Sequence, residues 1–159
     1  ELIKEKEFNP IEKAESIIKT YEDEPKVRHS GNRAYYSPSL DIINLPNKTD
    51  FENAESYYAT RFHEDIHSTG HQSRLNRSEL SAVDIALDEN KYSNEELVAE
   101  AGASILCAMA GIENTTIENQ SAYIQGWLNR LGDNKKLLVR AFGRAQKAVD
   151  YIVGKKYNK

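Results

Sequence analysis

The sequence predicts an α+β fold in a single domain, residues 1–159, with a small antiparallel sheet of about three strands packed against five or six helices. Three observations lead there. Short β-branched and aromatic runs, punctuated by turn residues, crowd between Lys26 and Pro46, and no later segment reads strongly as strand. From residue 51 onward apolar residues recur instead at spacings of three and four, the helical period. A chain of 159 residues with 39% hydrophobic and 29% charged residues has enough apolar surface for one core.

The elements follow in order. Residues 1 to 9 are mostly charged and read as a frayed start. Asn9-Pro10 opens a helix whose apolar positions are Ile11, Ala14, Ile17, Ile18 and Tyr21, with Pro10 in the first turn, where its missing N–H costs nothing. Three strands are expected at Lys26–His29, Arg33–Ser37 and Leu40–Leu45, joined by turns at Ser30-Gly31-Asn32 and Ser37-Pro38-Ser39. Two adjacent hairpins are the simplest way to connect them. Ala54, Tyr57, Tyr58, Phe62 and Ile66 then mark one face of a helix within 51–69, stopped by Gly70. Gln72 to Asn90 is a polar excursion with a short helix expected from Arg77 to Ala86. Ser93 opens the next helix, which runs through an apolar segment to Ala110 and stops at Gly111. A polar loop, 112–119, leads to a helix with Tyr123, Ile124, Trp127, Leu128 and Leu131 on one face. Asp133 caps the last helix, whose stripe is Leu137, Leu138, Ala141, Phe142, Ala145, Val149 and Ile152.

Composition limits the function. No apolar run approaches membrane-spanning length and no signal peptide is visible, so no membrane partner is expected. A net charge of −4 argues against strong binding of nucleic-acid backbone by this domain alone. Cys107, the single cysteine, sits in an apolar run and reads as a buried small hydrophobe; a domain without disulfides suits the reducing cytoplasm.

The chemistry concentrates at His63-Glu64-Asp65-Ile66-His67, which fits H-E-x-x-H; three of the four histidines lie between residues 63 and 71. Residues four apart share a helix face, so His63 and His67 can present two imidazoles to one metal ion. Glu64, rotated by roughly 100°, places a carboxylate where it can take a proton from a metal-bound water. Zinc is the expected ion, and a catalytic zinc uses three protein ligands. Two residues compete to be the third. Glu96 begins a Glu96/Glu100 pair spaced i, i+4, in which Glu96 ligates and Glu100 accepts the outer N–H of a ligand histidine. Glu96 also fits a capping box with Ser93. His71 is the other candidate. One group of zincins continues the motif as H-E-x-x-H-x-x-G-x-x-H; Gly70 is in register with its glycine, but Ser73 stands where the third histidine belongs. His71 falls two residues early and suits an exposed loop position or a substrate-side role better.

The segment Phe62 to His71, followed by Ser73-Arg74-Leu75-Asn76-Arg77, resembles the C-terminal zincin-like domain of ArdC-type antirestriction proteins. Tyr92 to Glu100, Tyr35-Tyr36-Ser37-Pro38, Ala54 to Thr60 and Ala122 to Leu128 are similar to the same family, and the likeness covers about residues 9 to 153. The resemblance implies a zincin-like metallopeptidase domain from a mobile element, with ligands at His63, His67 and Glu96 and with Glu64 as base. It also implies an upstream domain that binds single-stranded DNA, which fits a chain that begins at Glu1 rather than methionine.

The expected activity is hydrolysis of a peptide or protein, with any DNA contact made only through that upstream domain. Tyr36, Tyr123 and His71 are candidates for stabilising the oxyanion or contacting substrate. The alternative is a non-enzymatic, metal-stabilised module that binds a protein partner such as a host restriction component; the intact Glu64 counts against it.

Overall fold

The computed structural model describes residues 7–77, 89–113 and 120–155, with side chains throughout except at 89–93 and 120–123. The elements are α1 (Glu12–Thr20), β1 (Lys26–His29), β2 (Tyr35–Ser37), β3 (Ile42–Leu45), α2 (Ala54–Thr69), α3 (Glu89–Met109), α4 (Gln120–Arg130) and α5 (Lys135–Ile152). The short helix expected from Arg77 to Ala86 lies outside the described residues beyond Arg77. No helix among the described residues is long and apolar enough to cross a membrane.

The three-stranded sheet is mixed, with order β1-β3-β2. β2 and β3 form the expected antiparallel hairpin, Tyr36 opposite Ile43. β1 instead pairs with β3 in parallel, Val27 opposite Ile43, so the first expected hairpin is absent. Burial explains the order. β3 is the most apolar strand, and Ile43, Asn44 and Leu45 are buried, so it takes the centre and leaves the two half-exposed strands at the edges. Asn44 secures the crossing. Its side-chain amide donates to the carbonyls of Ser30 and Arg33, and its oxygen accepts from Arg28 Nε and Ser30 Oγ. The β1–β2 connection thus has its polar groups satisfied from the strand that separates its ends. Asp41 turns the β2–β3 hairpin with φ +49°, a conformation an Asp tolerates better than most residues, and its carboxylate is held by Tyr36 and Arg74.

α2 forms where its pattern places it. Asn53 caps it by accepting from Ser56 N–H, and Tyr57, Tyr58, Phe62 and Ile66 are fully buried. It ends at Thr69, and Gly70 follows in right-handed conformation, φ −77°. α3 packs along it with Leu97, Val98, Leu106 and Cys107 in the core. Burial pushes the Cys107 thiol up to about 11, so it is an inert core residue. The crossing of α2 and α3 is close. A Cβ added to Gly102 would lie 2.6 Å from Ile66 Cδ1. Two caps differ from expectation. α1 begins at Glu12 after Ile11 and has no side-chain cap, so Pro10 precedes it. Asn134, not Asp133, caps α5, accepting from Leu137 N–H. Asp133 is spent on the turn, at φ +59°. Phe142, read as part of the α5 stripe, is 37% exposed; Ala148 takes a core position there instead.

Candidate metal centre

Two helices build the site. α2 supplies His63, Glu64 and His67; α3, folded back beside it, supplies Glu95 and Glu96. α3 runs through Ser93 rather than starting there, so Glu96 is interior to the helix and the capping-box reading fails. His67 Nε2 lies 3.1 Å from His63 Nε2 and 3.0 Å from Glu96 Oε1, and His63 Nε2 lies 3.4 Å from Glu96 Oε2. Ligand atoms of these three residues all fall within 4.8 Å of one another. Two imidazole lone pairs and a carboxylate repel at such separations unless protons or a cation lie between them. An imidazole–imidazole–carboxylate set suits zinc and other first-row divalent ions. The His63 and Glu96 side chains keep about a quarter of their surface exposed, so the cluster is open on one side.

The tautomer of His67 follows from its other neighbour. Nδ1 lies 3.1 Å from Glu95 Oε1, and a carboxylate only accepts, so Nδ1 carries the hydrogen and Nε2 is left for a metal. Glu95 is itself held by Arg77, through Nε to Oε2 at 3.0 Å and Nη2 to Oε1 at 2.7 Å. Arg77 also donates to Thr69 Oγ1 and to the Ile66 carbonyl near the end of α2. One buried guanidinium therefore fixes the carboxylate that fixes the His67 ring. The role expected for Glu100 belongs to Glu95; Glu100 accepts from Trp127 Nε1 at 3.2 Å. An imidazole presents its two nitrogens in diverging directions. Its ligand partner and its carboxylate acceptor come more readily from adjacent helix positions, about 100° apart, than from one face.

Glu64 is 7% exposed, and its environment raises its pKa above the ordinary carboxylate value. Burial is the main cause, partly offset by His67 and His63 and by a hydrogen bond from the backbone of Tyr36 on edge strand β2. Asp65, the next residue of the motif, faces away into the core beside Arg61, which also pairs with Glu24 at 2.6 Å. The Tyr36 hydroxyl donates to Asp41 at 2.8 Å, so in this conformation it is committed away from the cluster. His71 lies beyond α2 and is not in the cluster; its Nδ1 accepts from Ser73 N–H at 3.2 Å, a local turn that keeps it beside Asp41. The Tyr123 side chain lies outside the described residues.

Without metal, His67 is held in its charged form. Burial opposes the charge, but the hydrogen bonds His67 donates to Glu95 and Glu96 outweigh it and push the pKa up to about 10. A raised folded-state pKa gives stability that is complete below the unfolded value, about 6.5, and is lost as pH rises through the folded one. The metal-free protein is expected to melt at falling temperature between about pH 7 and 10, and His67→Gln should flatten that dependence. Thermal melts in chelator decide this; parallel curves for both proteins would refute it.

With the geometry in place, three comparisons bear on the chain. A family model described as zincin-like metallopeptidase matches residues 12–144. Among curated relatives, the DNA primase TraC of Escherichia coli is 37% identical over 153 residues, which are 94% of this chain and 10% of that protein. The uncharacterized protein y4eC of Sinorhizobium fredii is 31% identical over 126 residues, 79% of this chain and 40% of that one. Among solved structures, the Mn(II)-bound antirestriction protein ArdC of plasmid R388 matches with TM-score 0.70 and 37% identity, covering 91% of this chain and 53% of ArdC. Its metal-free form matches with TM-score 0.66. The chain thus spans about half the length of ArdC and a tenth of TraC. With most of its length matched and with the fold and cluster described above, this chain belongs to the zincin-like metallopeptidase family.

Proposed function

We propose that this domain is a metal-dependent peptidase acting on a peptide or protein, with His63, His67 and Glu96 as metal ligands, zinc as the ion, and Glu64 as general base. The observation that supports it best is the convergence of the three ligand side chains on one open point with the Glu64 carboxylate beside them. A divalent cation bound there supplies Lewis acidity, polarising the scissile carbonyl and acidifying water. Glu64, with its raised pKa, takes the proton of the attacking water as its oxygen bonds the carbonyl carbon. The same carboxyl then delivers that proton to the amide nitrogen as the C–N bond breaks. Glu95 and Arg77 hold the His67 ring in orientation. β2, at the sheet edge beside Glu64, is placed to align an extended peptide by strand addition.

Zinc is proposed from the ligand chemistry, and Mn(II) is the ion in the related ArdC structure, so elemental analysis of protein purified without a histidine tag should identify the resident metal. A role in antirestriction is proposed for the longer protein that carries such a domain. The partner-binding alternative leaves unexplained why a carboxylate is buried at the mouth of the cluster, since a purely structural site needs no base.

Glu64→Gln tests the reading. The amide is nearly isosteric but cannot accept the proton, so metal content and melting temperature should persist while hydrolysis of a cleaved protein substrate falls by about 10²–10⁴. Cleavage at the unaltered rate removes Glu64 as base and the mechanism with it.

A further inference from the structure

The net charge of −4 conceals an uneven distribution. α5 carries five basic side chains and one acid, against 16 and 24 in the rest of the chain, so the helix bears +4 and the remainder −8. The single acid, Asp150, is 2% exposed. Lys136, Arg140, Arg144 and Lys147 follow one another at spacings of four, four and three, which puts them in one stripe about 80° wide and roughly 16 Å long. The stripe lies away from the buried face formed by Leu138, Ala141, Ala145 and Val149. Lys136, Arg140 and Lys147 are exposed, and none of the three has an acidic partner among the described residues.

Such a stripe is not what a merely solvated helix face needs. Like charges at i, i+4 cost tenths of a kcal/mol each, and surface helices usually interleave both signs. Gly143 lies on the exposed side next to this stripe. In the middle of a helix it costs about 0.5–1 kcal/mol relative to alanine. Among the described residues a Cβ there would meet nothing within 4 Å, so no packing between them calls for glycine. The absence of a side chain leaves the helix surface low between Arg140 and Lys147. The stripe also continues into an open groove of about 500 Å³, which Lys147 lines together with Leu75, Gln146, Asp150, Tyr151 and Lys155. Asp150 in that groove lies 3.8 Å from Lys155 Nζ.

We propose that the outer face of α5 binds the phosphate backbone of a nucleic acid. Lys136, Arg140 and Lys147 contact phosphates along one strand, and Gly143 lets the strand lie close to the helix. Three cations in line, about 6 and 10 Å apart along the helix axis, suit a linear polyanion. The exposed apolar residues of α5, Val139 and Phe142, lie beyond Gly143 on the same side of the helix, outside the basic stripe itself, so the cations are not arranged around an apolar centre of the kind a protein interface is built on. This surface is independent of the proposed peptidase chemistry.

The test is fluorescence anisotropy with a labelled single-stranded DNA of about 12 nucleotides, and with the same sequence as duplex, between about 50 and 200 mM salt. The unmodified protein should bind at least one of the two with affinity that falls as salt rises, and the pair of curves identifies the preferred form. The triple variant Lys136→Ala/Arg140→Ala/Lys147→Ala should lose at least about tenfold in affinity, with a salt slope shallower by about two to three. A control variant removing three exposed lysines elsewhere, Lys13→Ala/Lys19→Ala/Lys26→Ala, should bind within about twofold of the unmodified protein. Metal content and melting temperature establish that each variant is folded. Three results overturn the proposal: no salt-dependent binding to either DNA, equal losses in both triple variants, or tighter binding of poly-glutamate than of DNA. The last assigns the face to an acidic protein.

Discussion

Alanine at Glu96 is expected to weaken metal binding by about two orders of magnitude or more, whereas alanine at His71 should leave it nearly unchanged. Glu96 is the only carboxylate in the cluster, with oxygens 3.0 Å from His67 Nε2 and 3.4 Å from His63 Nε2. Removing it leaves two imidazoles, one ligand short of the protein set a catalytic ion uses. The effect on the apo protein is also legible. The Glu96 pKa is well below the ordinary carboxylate value. Burial opposes ionisation there, but hydrogen bonds to His63 and His67 outweigh it. Glu96→Ala therefore removes the counter-charge of His67 as well as a ligand. His71 is engaged with Ser73 in the turn beyond Gly70 and has no place in the cluster. Titration against a chelating dye measures both variants. Equal losses at the two positions would move the third ligand to His71 and reassign the site.

Replacing Arg77 by methionine should have the largest effect on the fold of any substitution outside the apolar core. Its guanidinium is 6% exposed and makes four hydrogen bonds of 3.0 Å or shorter, two of them to Glu95, whose side chain is 2% exposed. Methionine fills the volume but leaves Glu95 with one partner and takes one donor each from the Ile66 carbonyl and the Thr69 hydroxyl, which keep the hydrogen bond between them. A broken buried pair costs about 3–5 kcal/mol, and the lower figure applies because His67 still faces the carboxylate. In a domain of this size that lowers the melting temperature by roughly 6–12 °C. Metal affinity should fall as well, by about 10–100-fold, because the acceptor that orients His67 is no longer held. Lysine should not rescue it, since an ammonium cannot reproduce the forked contact. A melting temperature within about 2 °C of the unmodified protein would show that Arg77 only fills space.

The parts of this molecule that were legible in the sequence are those fixed by local periodicity. The buried face of α2 and the core positions of α3 follow from apolar spacing, and the His63/His67 pairing follows from the helix that spacing creates. The place of Glu96 beside the two histidines was legible as well, because it heads a segment too apolar to remain outside the core. What escaped depends on contacts between distant segments. The parallel pairing of β1 with β3 follows from the burial of β3 and from Asn44 reaching across to Ser30 and Arg33, and no local pattern announces it. Choosing Glu95 over Glu100 as the acceptor for His67 requires the crossing of α2 and α3. Helical spacing groups Glu100 with Glu96, yet the diverging nitrogens of one ring are met by neighbours in the chain. Arg77 was visible only as the start of a short helix expected in a polar stretch and as part of the segment that resembles the family, and nothing in its spacing marks a buried guanidinium.

The close approach at Gly102 has a consequence for which sequences can carry this site. The distance between the helix bearing the histidines and the helix bearing the glutamates is set by a methyl group that is not there. Alanine at 102 collides with Ile66, one residue before His67, so the strain would fall next to the candidate metal cluster. A smaller residue at 66 opens room but leaves a void if glycine remains at 102. The two positions are therefore yoked. A lineage can reach a larger residue at one only by shrinking the other in the same step or by passing through a damaged intermediate. The geometry of the His63, His67 and Glu96 cluster is guarded by a pair of residues that lie outside it.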